Sequence, residues 1–426
     1  MKQSVDLIVS DAAEVASMAG GGEGPLLGAA MDDVGVIPDG ALALAEGLVV
    51  AVGPRSEIEA AYDAPRRLSA EGGTVLPGLV DPHTHPVFAT TREGEFDMRA
   101  RGQGYQQITA AGGGIFSSVA ALRAAPRDEL AATLRRHLDR LLICGTTSVE
   151  AKSGYGLSLQ SELLALELLA EAQASHPIDI DATCLAAHQV PPEFRDDRDG
   201  YVRLVREQIL PEVARRGLAR SADVFCDEGA YSVAEARAVL EGARALGFDL
   251  RVHADELAPV GAAELAASLG ARTADHLVKI SDAGLEAMLA AGTTAVLLPA
   301  TCFSLRLDEL APARRMIAAG LPVALATDFN PGTSYCPSMI EVVALACGLL
   351  GMTVAEALVA ATRNAAETLG LPGVRGRLEP GAVADLVLLD VPGHLFLGYQ
   401  VGWNPVMAVV KHGRQVFSRG PLKVGL

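Results

Sequence analysis

Residues 76–88 read LPGLVDPHTHPVF, an apolar strand that runs directly into two histidines. His83 and His85 are two positions apart, and on an extended segment residues i and i+2 point to the same side. Two imidazoles arranged in this way are able to bind one metal ion. The alternative for an HxH pair alone is two ordinary loop histidines. Pro82 stiffens the approach, and the apolar strand before it fixes the location of the pair.

Outward from this segment, short apolar strands alternate with helices of good length. Eight strands are predicted, at residues 75–81, 146–151, 182–187, 222–226, 250–253, 273–275, 294–298 and 323–326. Capping boxes at 232–235 and 353–356 mark helix starts, and a further helix is predicted from Pro126 to about residue 144. Most strands read as apolar runs without alternation, as expected for strands buried on both faces. The pattern predicts an α/β fold with a (β/α)8 TIM-type barrel.

Nearly every predicted strand ends in a reactive side chain. These side chains are His83, His85, Lys152, Tyr155, His188, His253, Glu256, His276, Asp328 and Asn330. They include five of the nine histidines, which is far from a random scatter. The carboxyl ends of barrel strands meet at one mouth, where active sites lie, so we expect these groups to converge there.

His253 and Asp328 complete a plausible metal site with the HxH pair. Each follows a buried apolar strand directly, and three imidazoles with one carboxylate suit Zn²⁺ or Fe²⁺ and leave room for a water. The alternative for Asp328 is a structural cap at a strand end. A bound divalent ion lowers the pKa of its water towards about 7, so that the water can attack an amide carbonyl at neutral pH.

This chemistry also needs a proton shuttle to the leaving nitrogen. Glu256 lies three residues beyond His253, at the mouth, and is the best candidate for the catalytic base and acid. Its alternative is a salt bridge with a nearby arginine. His276 is the second catalytic candidate, which would orient the nucleophile or stabilise charge on the carbonyl oxygen. Its alternative is a buried structural histidine.

The two ends of the chain have a different pattern from its middle. Residues 41–54, 381–393 and 407–420 read as strand–turn–strand segments. We expect them to pair into one small β-sandwich domain. The predicted division is 1–76 for the first part of this domain, 77–378 for the barrel, and 379–426 for the second part.

The composition excludes several classes of partner. The formal net charge of −17 disfavours binding to nucleic acid and to anionic membranes. The six cysteines are scattered without a CxxC pair, which argues against a disulfide scaffold or a thiolate zinc site and fits a reducing compartment. The N-terminus lacks the apolar stretch of a signal peptide, and no segment approaches the roughly 20 apolar residues of a membrane span. We therefore expect a cytoplasmic protein that acts on a small molecule.

Several motifs together resemble the imidazolonepropionase family of the amidohydrolase superfamily. They are PGLVDPHTHPVFATTREGEF (77–96), GGGI (112–115), EAKSGYGL (150–157), DVFCDEG (223–229), HADE (253–256), ADHL (274–277) and ATDFNPGTS (326–334). The resemblance runs from about residue 77 to the C-terminus. It implies hydrolysis of 4-imidazolone-5-propanoate to N-formimino-L-glutamate in histidine degradation, one zinc or iron ion, and a homodimer.

The resemblance also implies roles for individual residues. The implied metal ligands are His83, His85, His253 and Asp328; the implied substrate contacts are Arg92, Tyr155, His188 and Glu256; and the implied contacts of the opened product are Tyr155, Asn330, Gly332 and Thr333. Arg92 suits the propionate because a guanidinium can grip a carboxylate with two parallel hydrogen bonds, although a surface arginine is the alternative. The turn at 330–333 is expected to expose backbone N–H groups to an anion.

Other functions remain open from the sequence. A related aminohydrolase of a purine or pyrimidine would use the same metal set and expel ammonia, and another cyclic amide is a further alternative. A non-catalytic binding module is disfavoured because every expected ligand is present. Some relatives carbamylate a lysine to bridge two metals, so Lys152 leaves one or two metals open, whereas the family resemblance argues for one.

Overall fold

The computed structural model describes residues 2–103, 107 and 112–420 of the chain. Its strands are β1 Gln3–Ser4, β2 Leu7–Ser10, β3 Glu14–Ala16, β4 Val36–Pro38, β5 Gly40–Ala45, β6 Leu48–Pro54, β7 Tyr62–Asp63, β8 Arg66–Ser69, β9 Thr74–Pro77, β10 Leu79–Thr84, β11 Thr146–Lys152, β12 Asp179–Ala187, β13 Ser221–Cys226, β14 Asp249–Ala254, β15 Thr273–His276, β16 Thr294–Leu297, β17 Val323–Leu325, β18 Leu386–Leu389, β19 Val406–Lys411 and β20 Arg414–Ser418. Its α-helices are α1 Arg55–Ala61, α2 Glu93–Ala100, α3 Ile115–Ala124, α4 Arg127–Ile143, α5 Leu159–Ser175, α6 Arg198–Leu204, α7 Leu210–Arg216, α8 Val233–Ala245, α9 Ala262–Leu269, α10 Asp282–Ala291, α11 Pro299–Leu305, α12 Ala313–Ala318, α13 Met339–Leu350, α14 Val354–Ala360, α15 Arg363–Glu367 and α16 Phe396–Tyr399.

Strands β10 to β17 form one parallel sheet in which the spatial order is the sequence order. The last strand returns beside the first. There the His85 N–H donates to the Phe329 carbonyl (2.9 Å) and the Asp328 N–H donates to the His83 carbonyl (3.1 Å). The predicted barrel is therefore confirmed, and its closure brings the His83–His85 pair next to Asp328 at the ends of adjacent strands.

The first predicted strand, 75–81, is two strands rather than one. β9 pairs with strands of the small domain, whereas β10 pairs with β11 in the barrel. Gly78 separates them, and its N–H donates to the Asp385 carbonyl at 2.8 Å. A Cβ at this position would lie 2.3 Å from Thr147 Oγ1, so only glycine lets the chain pass from one sheet to the other.

The chain ends form the predicted small β-domain. A six-stranded sheet has the order β20-β19-β18-β9-β3-β4, and a four-stranded sheet has the order β6-β5-β2-β8. Along β18, Leu386 and Leu388 join the core between these sheets, whereas Val387 and Leu389 join the core of the barrel. Period-two alternation therefore buries both faces of the six-stranded sheet. The division of the chain at 76/77 and 378/379 stays a prediction.

The interior of the barrel is charged, which differs from the expectation of apolar strands without alternation. The buried charged residues on its strands include Glu150, Lys152, Asp181, Asp223, Arg251 and Asp275. A buried charge costs several kcal/mol unless it is paired. Lys152 Nζ lies 2.9 Å from Glu150 Oε1 and 2.8 Å from Asp223 Oδ2, and Arg251 Nη2 lies 3.5 Å from Asp181 Oδ2. Ion pairs inside the barrel therefore replace the expected apolar filling.

The helix signals in the sequence correspond to helices in the structure. Ser232 caps α8 and Thr353 caps α14, each with the reciprocal glutamate of a capping box. Pro126 is the N-cap of α4, which begins at Arg127 and ends at Ile143. Within the described residues, none of the helices has the length and apolar character that crossing a bilayer requires.

Candidate active site

Three imidazoles and one carboxylate converge at the mouth of the barrel. His83 and His85 lie on β10 and just after it, His253 lies on β14, and Asp328 follows β17. Ligand nitrogens of the three histidines lie within 4.8 Å of one another. His83 Nε2 is 3.2 Å from His85 Nε2, and Asp328 Oδ1 is 3.6 Å and 3.4 Å from these two atoms. The predicted ligand set is therefore brought together.

The spacing of these atoms fits a tetrahedral metal ion. Ligand atoms held about 2.1 Å from one ion stand about 3.4 Å apart, close to the separations among His83, His85 and Asp328. Burial lowers the pKa of both His83 and His85 well below the usual range, so both imidazoles are neutral and have a lone pair to offer. His83 Nδ1 faces Asp275 Oδ2 at 2.6 Å, which leaves Nε2 as its ligand atom. Thr301 Oγ1 donates to Asp328 Oδ2 at 2.6 Å and leaves Oδ1 as the ligand atom.

Two buried aspartates stand behind the ligands. Asp275 faces His83, and Asp223 Oδ2 lies 3.0 Å from His253 Nδ1. Such carboxylate–histidine pairs fix the orientation of metal-binding imidazoles and raise their basicity. Lys152 Nζ joins the two aspartates, at 2.8 Å from Asp223 and 3.8 Å from Asp275.

The charges of this layer also suit a divalent cation. Four carboxylates, those of Glu150, Asp181, Asp223 and Asp275, share the two cations Lys152 and Arg251. A divalent ion bound to the histidines would offset the excess negative charge. The donor set and the charge together fit a bound zinc or iron ion.

Glu256 and His276, the two candidates for proton transfer, lie next to each other. His276 Nδ1 is 3.5 Å from Glu256 Oε1, and both residues are buried. Burial, with a further contribution from the negative charge of Asp328, raises the pKa of Glu256 to about 8. Burial lowers the pKa of His276 to about 3, so this ring is neutral. The pair therefore offers a carboxyl that exchanges protons near neutrality beside a neutral imidazole.

A cavity of about 640 Å³ opens over these groups. Its lining includes His85, Arg92, Glu95, Arg99, Tyr155, His188, His253, Glu256, His276, Asp328, Asn330 and Thr333. A space of this volume accepts a small ring with a short side chain. All predicted site residues except His83 and Gly332 line it; His83 lies deeper, and Gly332 lies beneath Arg92.

Arg92 is already paired with a carboxylate of the protein. Its Nε and Nη2 donate to Glu95 at 2.9 Å and 2.6 Å. A guanidinium has five N–H groups, so the edge formed by Nη1 and Nη2 still has donors for a second carboxylate. Arg99 Nη2 donates to the Gly332 carbonyl at 2.9 Å, and none of the described acidic side chains forms an ion pair with Arg99. Two arginines against one glutamate leave this part of the cavity positive.

Tyr155 and His188 form a further wall of the cavity. The ring of His188 stacks on that of His85 with centroids 5.3 Å apart, and its Nδ1 lies 3.0 Å from the Gly154 carbonyl. This contact leaves His188 Nε2 for a ligand. Gly154 has a φ of +109°, which glycine adopts without strain. Burial raises the pKa of Tyr155, so its hydroxyl remains a hydrogen-bond donor.

The turn at 330–333 has its own hydrogen-bond acceptor. Asn330 Oδ1 accepts the N–H groups of Gly332 (2.8 Å) and Thr333 (2.7 Å). These N–H groups were predicted to face an anion, but in this structure they donate to Asn330 and close the turn instead. An anion reaches them only if the Asn330 side chain rotates away.

Several residues at or behind the site were missed by sequence reasoning: Asp81, whose carboxylate accepts hydrogen bonds from Thr327, and Glu95, Arg99, Asp223, Asp227, Arg251, Asp275 and Thr301. One signal was available for Asp81 and Arg251. Asp81 precedes His83 by two positions, and Arg251 precedes His253 by two, so period-two spacing from a ligand marks the inward face of a strand. Asp223 and Asp275 contact histidines of other strands, and no local sequence pattern predicts such contacts.

Comparisons with known proteins agree with this geometry. Residues 74–418 match the family model described as the amidohydrolase family. The chain is 46% identical over 423 residues to imidazolonepropionase of Geobacillus kaustophilus, covering 98% of this chain and 99% of that one. It is 47% identical over 424 residues to imidazolonepropionase of Symbiobacterium thermophilum, with the same coverage.

Solved structures of similar fold have low sequence identity. A zinc-bound adenosine deaminase from Xanthomonas campestris superposes with a TM-score of 0.72 at 19% identity, covering 97% of this chain and 93% of that one. A 5-methylcytosine deaminase from Klebsiella pneumoniae superposes with a TM-score of 0.74 at 16% identity, covering 98% and 99%. At these identities the likeness establishes the fold alone.

Proposed function

The chain belongs to the imidazolonepropionase family of the amidohydrolases, and we propose that the residues at the mouth of its barrel carry out the reaction of that family. The reaction is the hydrolysis of 4-imidazolone-5-propanoate to N-formimino-L-glutamate, a step of histidine degradation. One observation carries the assignment of residues: three neutral or carboxylate-paired imidazoles and Asp328 surround one point beside a cavity that contains Glu256 and two arginines.

His83, His85, His253 and Asp328 hold one divalent ion, zinc or iron, in this proposal. When bound, such an ion lowers the pKa of a water and polarises the carbonyl that the water attacks. The surroundings of Lys152 favour one metal ion over two. Its ammonium already lies within 2.9 Å of two carboxylates, and a carbamate in its place would put a further negative charge against them.

Glu256 moves the proton. Its carboxylate accepts a proton from the attacking water and delivers it to the ring nitrogen that leaves when the cyclic amide opens. The raised pKa of Glu256, about 8, suits a group that both accepts and donates near neutral pH. His276 is a neutral imidazole with one N–H: its Nδ1 faces Glu256 and accepts from the protonated carboxyl, and its Nε2–H donates a hydrogen bond to the carbonyl oxygen as negative charge develops there.

The substrate is held by its carboxylate and its ring. The propionate binds the free edge of Arg92, and the uncompensated charge of Arg99 adds to the attraction. Tyr155 and the Nε2 of His188 bind the ring. The opened product gains a flexible chain that reaches Asn330, Gly332 and Thr333, where it competes with the internal hydrogen bonds of the turn.

The test combines metal analysis with an assay of ring opening. Purified protein is expected to hold one zinc or iron ion per chain and to convert imidazolone propionate to N-formimino-glutamate without releasing ammonia. His253→Ala should lose both metal and activity. Ammonia release from a purine or pyrimidine base, with no ring opening of the imidazolone, would contradict the proposal.

The assembly and location are part of the same proposal. We propose a homodimer, as the family resemblance implies, and the run of exposed apolar side chains at Leu395, Tyr399 and Val401 is a surface suited to a second copy. Light scattering should give twice the chain mass, and Tyr399→Glu should lower it, whereas Leu246→Glu on another surface should not. All six cysteines are unpaired thiols, which fits the proposed cytoplasmic location, and the acidic charge fits the absence of nucleic-acid partners.

A further inference from the structure

A buried carboxylate with no assigned role lies beneath the loop that carries Glu256. Asp227 follows β13 and is 3% exposed. Its Oδ2 accepts the N–H groups of Glu256 (2.6 Å) and Leu257 (2.9 Å), and its Oδ1 accepts those of Glu228 (2.7 Å) and Ala258 (3.0 Å). No cationic side chain among the described residues forms an ion pair with it. Its negative charge is therefore satisfied by backbone N–H groups, three of them from 256–258.

The neighbouring aspartate holds the other side of the same loop. Asp255 has a φ of +49°, a left-handed conformation that costs a non-glycine residue about 1 kcal/mol. Its carboxylate accepts four N–H groups at the start of α9, from Val260 (3.0 Å), Gly261 (3.1 Å), Ala262 (3.1 Å) and Ala263 (3.0 Å). Asp255 therefore caps a helix, whereas Asp227 binds the peptide N–H of Glu256 itself.

We propose that Asp227 is a positioning residue for ring opening, which holds the Glu256 carboxyl at the cavity through the backbone of 256–258. The inference rests on the proposed function, in which Glu256 moves the proton. A general base works within about 2.6–3.2 Å of the proton it takes, and a displacement of about 1 Å costs up to about a hundredfold in rate. Three hydrogen bonds from consecutive residues to one rigid carboxylate restrict this displacement.

Asp227 also acts on Glu256 through its charge. The titratable groups that act on the Glu256 carboxyl are Asp227, His253, His276, Cys302 and Asp328. Burial is the main cause that raises the pKa of Glu256, and the charges of Asp328 and Asp227 add to it while that of His253 opposes it. Removing the charge of Asp227 and letting water reach the loop both lower that pKa.

The experiment compares four variants of the metal-loaded protein, two at Asp227, one at a control position and one at Glu256. Asp227→Asn keeps the shape but removes the charge and half of the acceptor capacity. It is expected to lower kcat by about ten- to a hundredfold, to change KM by less than about threefold, and to move the Glu256 limb of the pH–rate profile to lower pH. Asp227→Glu keeps the charge but displaces the acceptors, so it should lower kcat with the limb unmoved. Metal content should stay at one ion per chain in both variants, because Asp227 contacts none of the metal ligands.

Asp197→Asn is the matched control, because Asp197 caps α6 by accepting the Gly200 N–H at 2.9 Å and lies outside the site. It should keep the wild-type kcat and pH profile. Full kcat and an unmoved limb in Asp227→Asn would overturn the inference, as would a loss of activity that only follows a loss of metal or of folded protein. Glu256→Gln separates the two proposals: if it remains active, the proton role of Glu256 fails, whereas an inactive Glu256→Gln beside an unaffected Asp227→Asn removes only the role of Asp227.

Discussion

Replacing Gly332 by alanine tests the proposal that Arg92 binds the substrate carboxylate. A Cβ at this position would lie 2.3 Å from Arg92 Nη1 and 2.8 Å from Cζ, whereas ordinary contacts begin at 3.4 Å. The φ of Gly332 is outside the left-handed region, so the backbone accepts alanine without strain. The guanidinium must therefore move by about 1 Å to reach van der Waals contact.

A movement of this size withdraws the free edge of Arg92 from the substrate. A hydrogen bond to a charged group contributes about 1.5–3 kcal/mol, which corresponds to roughly a ten- to hundredfold increase in KM for each bond lost. The effect should fall on KM more than on kcat, because the proposed partner of Arg92 is the propionate and not the reacting carbonyl. Stability should change by less than about 1 kcal/mol, because the methyl group displaces one partly exposed side chain.

The assay is steady-state ring opening of the natural substrate and of its propionate methyl ester, with thermal denaturation in parallel. Gly332→Ala should raise KM for the acid and leave the KM of the neutral ester nearly unchanged. Gly348→Ala is the matched control, because Gly348 lies in α13 with open space around it. This variant should be about 0.5–1 kcal/mol more stable than the wild type and should have the same KM. An unchanged KM for the acid in Gly332→Ala, or an equal rise for acid and ester, would refute the proposed role of Arg92.

Three further predictions concern the metal, the folding energy and the response to acid. Asp275→Asn removes the carboxylate behind His83 and should weaken metal binding by about 10- to 100-fold in a chelator competition, with no change in fold by circular dichroism; unchanged affinity would contradict the orienting role. Arg363→Met removes a buried guanidinium that donates to the carbonyls of Gly22 and Gly24 and should cost at least about 3 kcal/mol in denaturant unfolding, whereas a loss below 1 kcal/mol would show that water replaces it. Burial alone would raise the pKa of Glu235, but hydrogen bonds from Arg198 and Ser232 lower it to about 2, so its stabilising contribution is present above the unfolded value of 4.5 and is lost as the pH falls towards 2. Glu235→Gln should therefore lower Tm at pH 7 more than at pH 3, and an equal loss at both values would exclude this pair as a source of acid sensitivity.

The barrel was predictable because each of its strands keeps an apolar outer face against the helices. The predicted bounds agree with β11, β13, β14, β15, β16 and β17 to within one residue at each end. Residues 75–81 were wrongly predicted as one strand for a physical reason. The sequence stays apolar on both sides of Gly78, so hydrophobicity does not mark the point where the chain passes from one sheet to the other. The convergence of the strand-end side chains could be predicted because the carboxyl ends of parallel strands all lie at the same end of the barrel.

The residues proposed as metal ligands could be singled out from the sequence, whereas the residues that support them could not. His83, His253 and Asp328 each follow an apolar run directly, so position along the strand marks them. Asp223 and Asp275 look like isolated acids within strands, and their partners come from neighbouring or opposite strands. The pairing of Arg92 with Glu95 and the closing of the 330–333 turn by Asn330 depend on side-chain rotamers, which sequence spacing does not specify.

The passage at Gly78 also ties the first barrel strand to a part of the chain that is synthesised late. β9 lies between β3, which precedes it in the chain, and β18, which the ribosome delivers only after the whole barrel. Until β18 has been synthesised, one edge of β9 has no partner strand. β10, which leads into the two histidines, then follows a strand that is paired on one side only. A nascent chain that stalls before residue 386 therefore leaves this edge of β9 without its partner strand, and the Gly78 N–H lacks the stable contact with the Asp385 carbonyl that β18 brings into place.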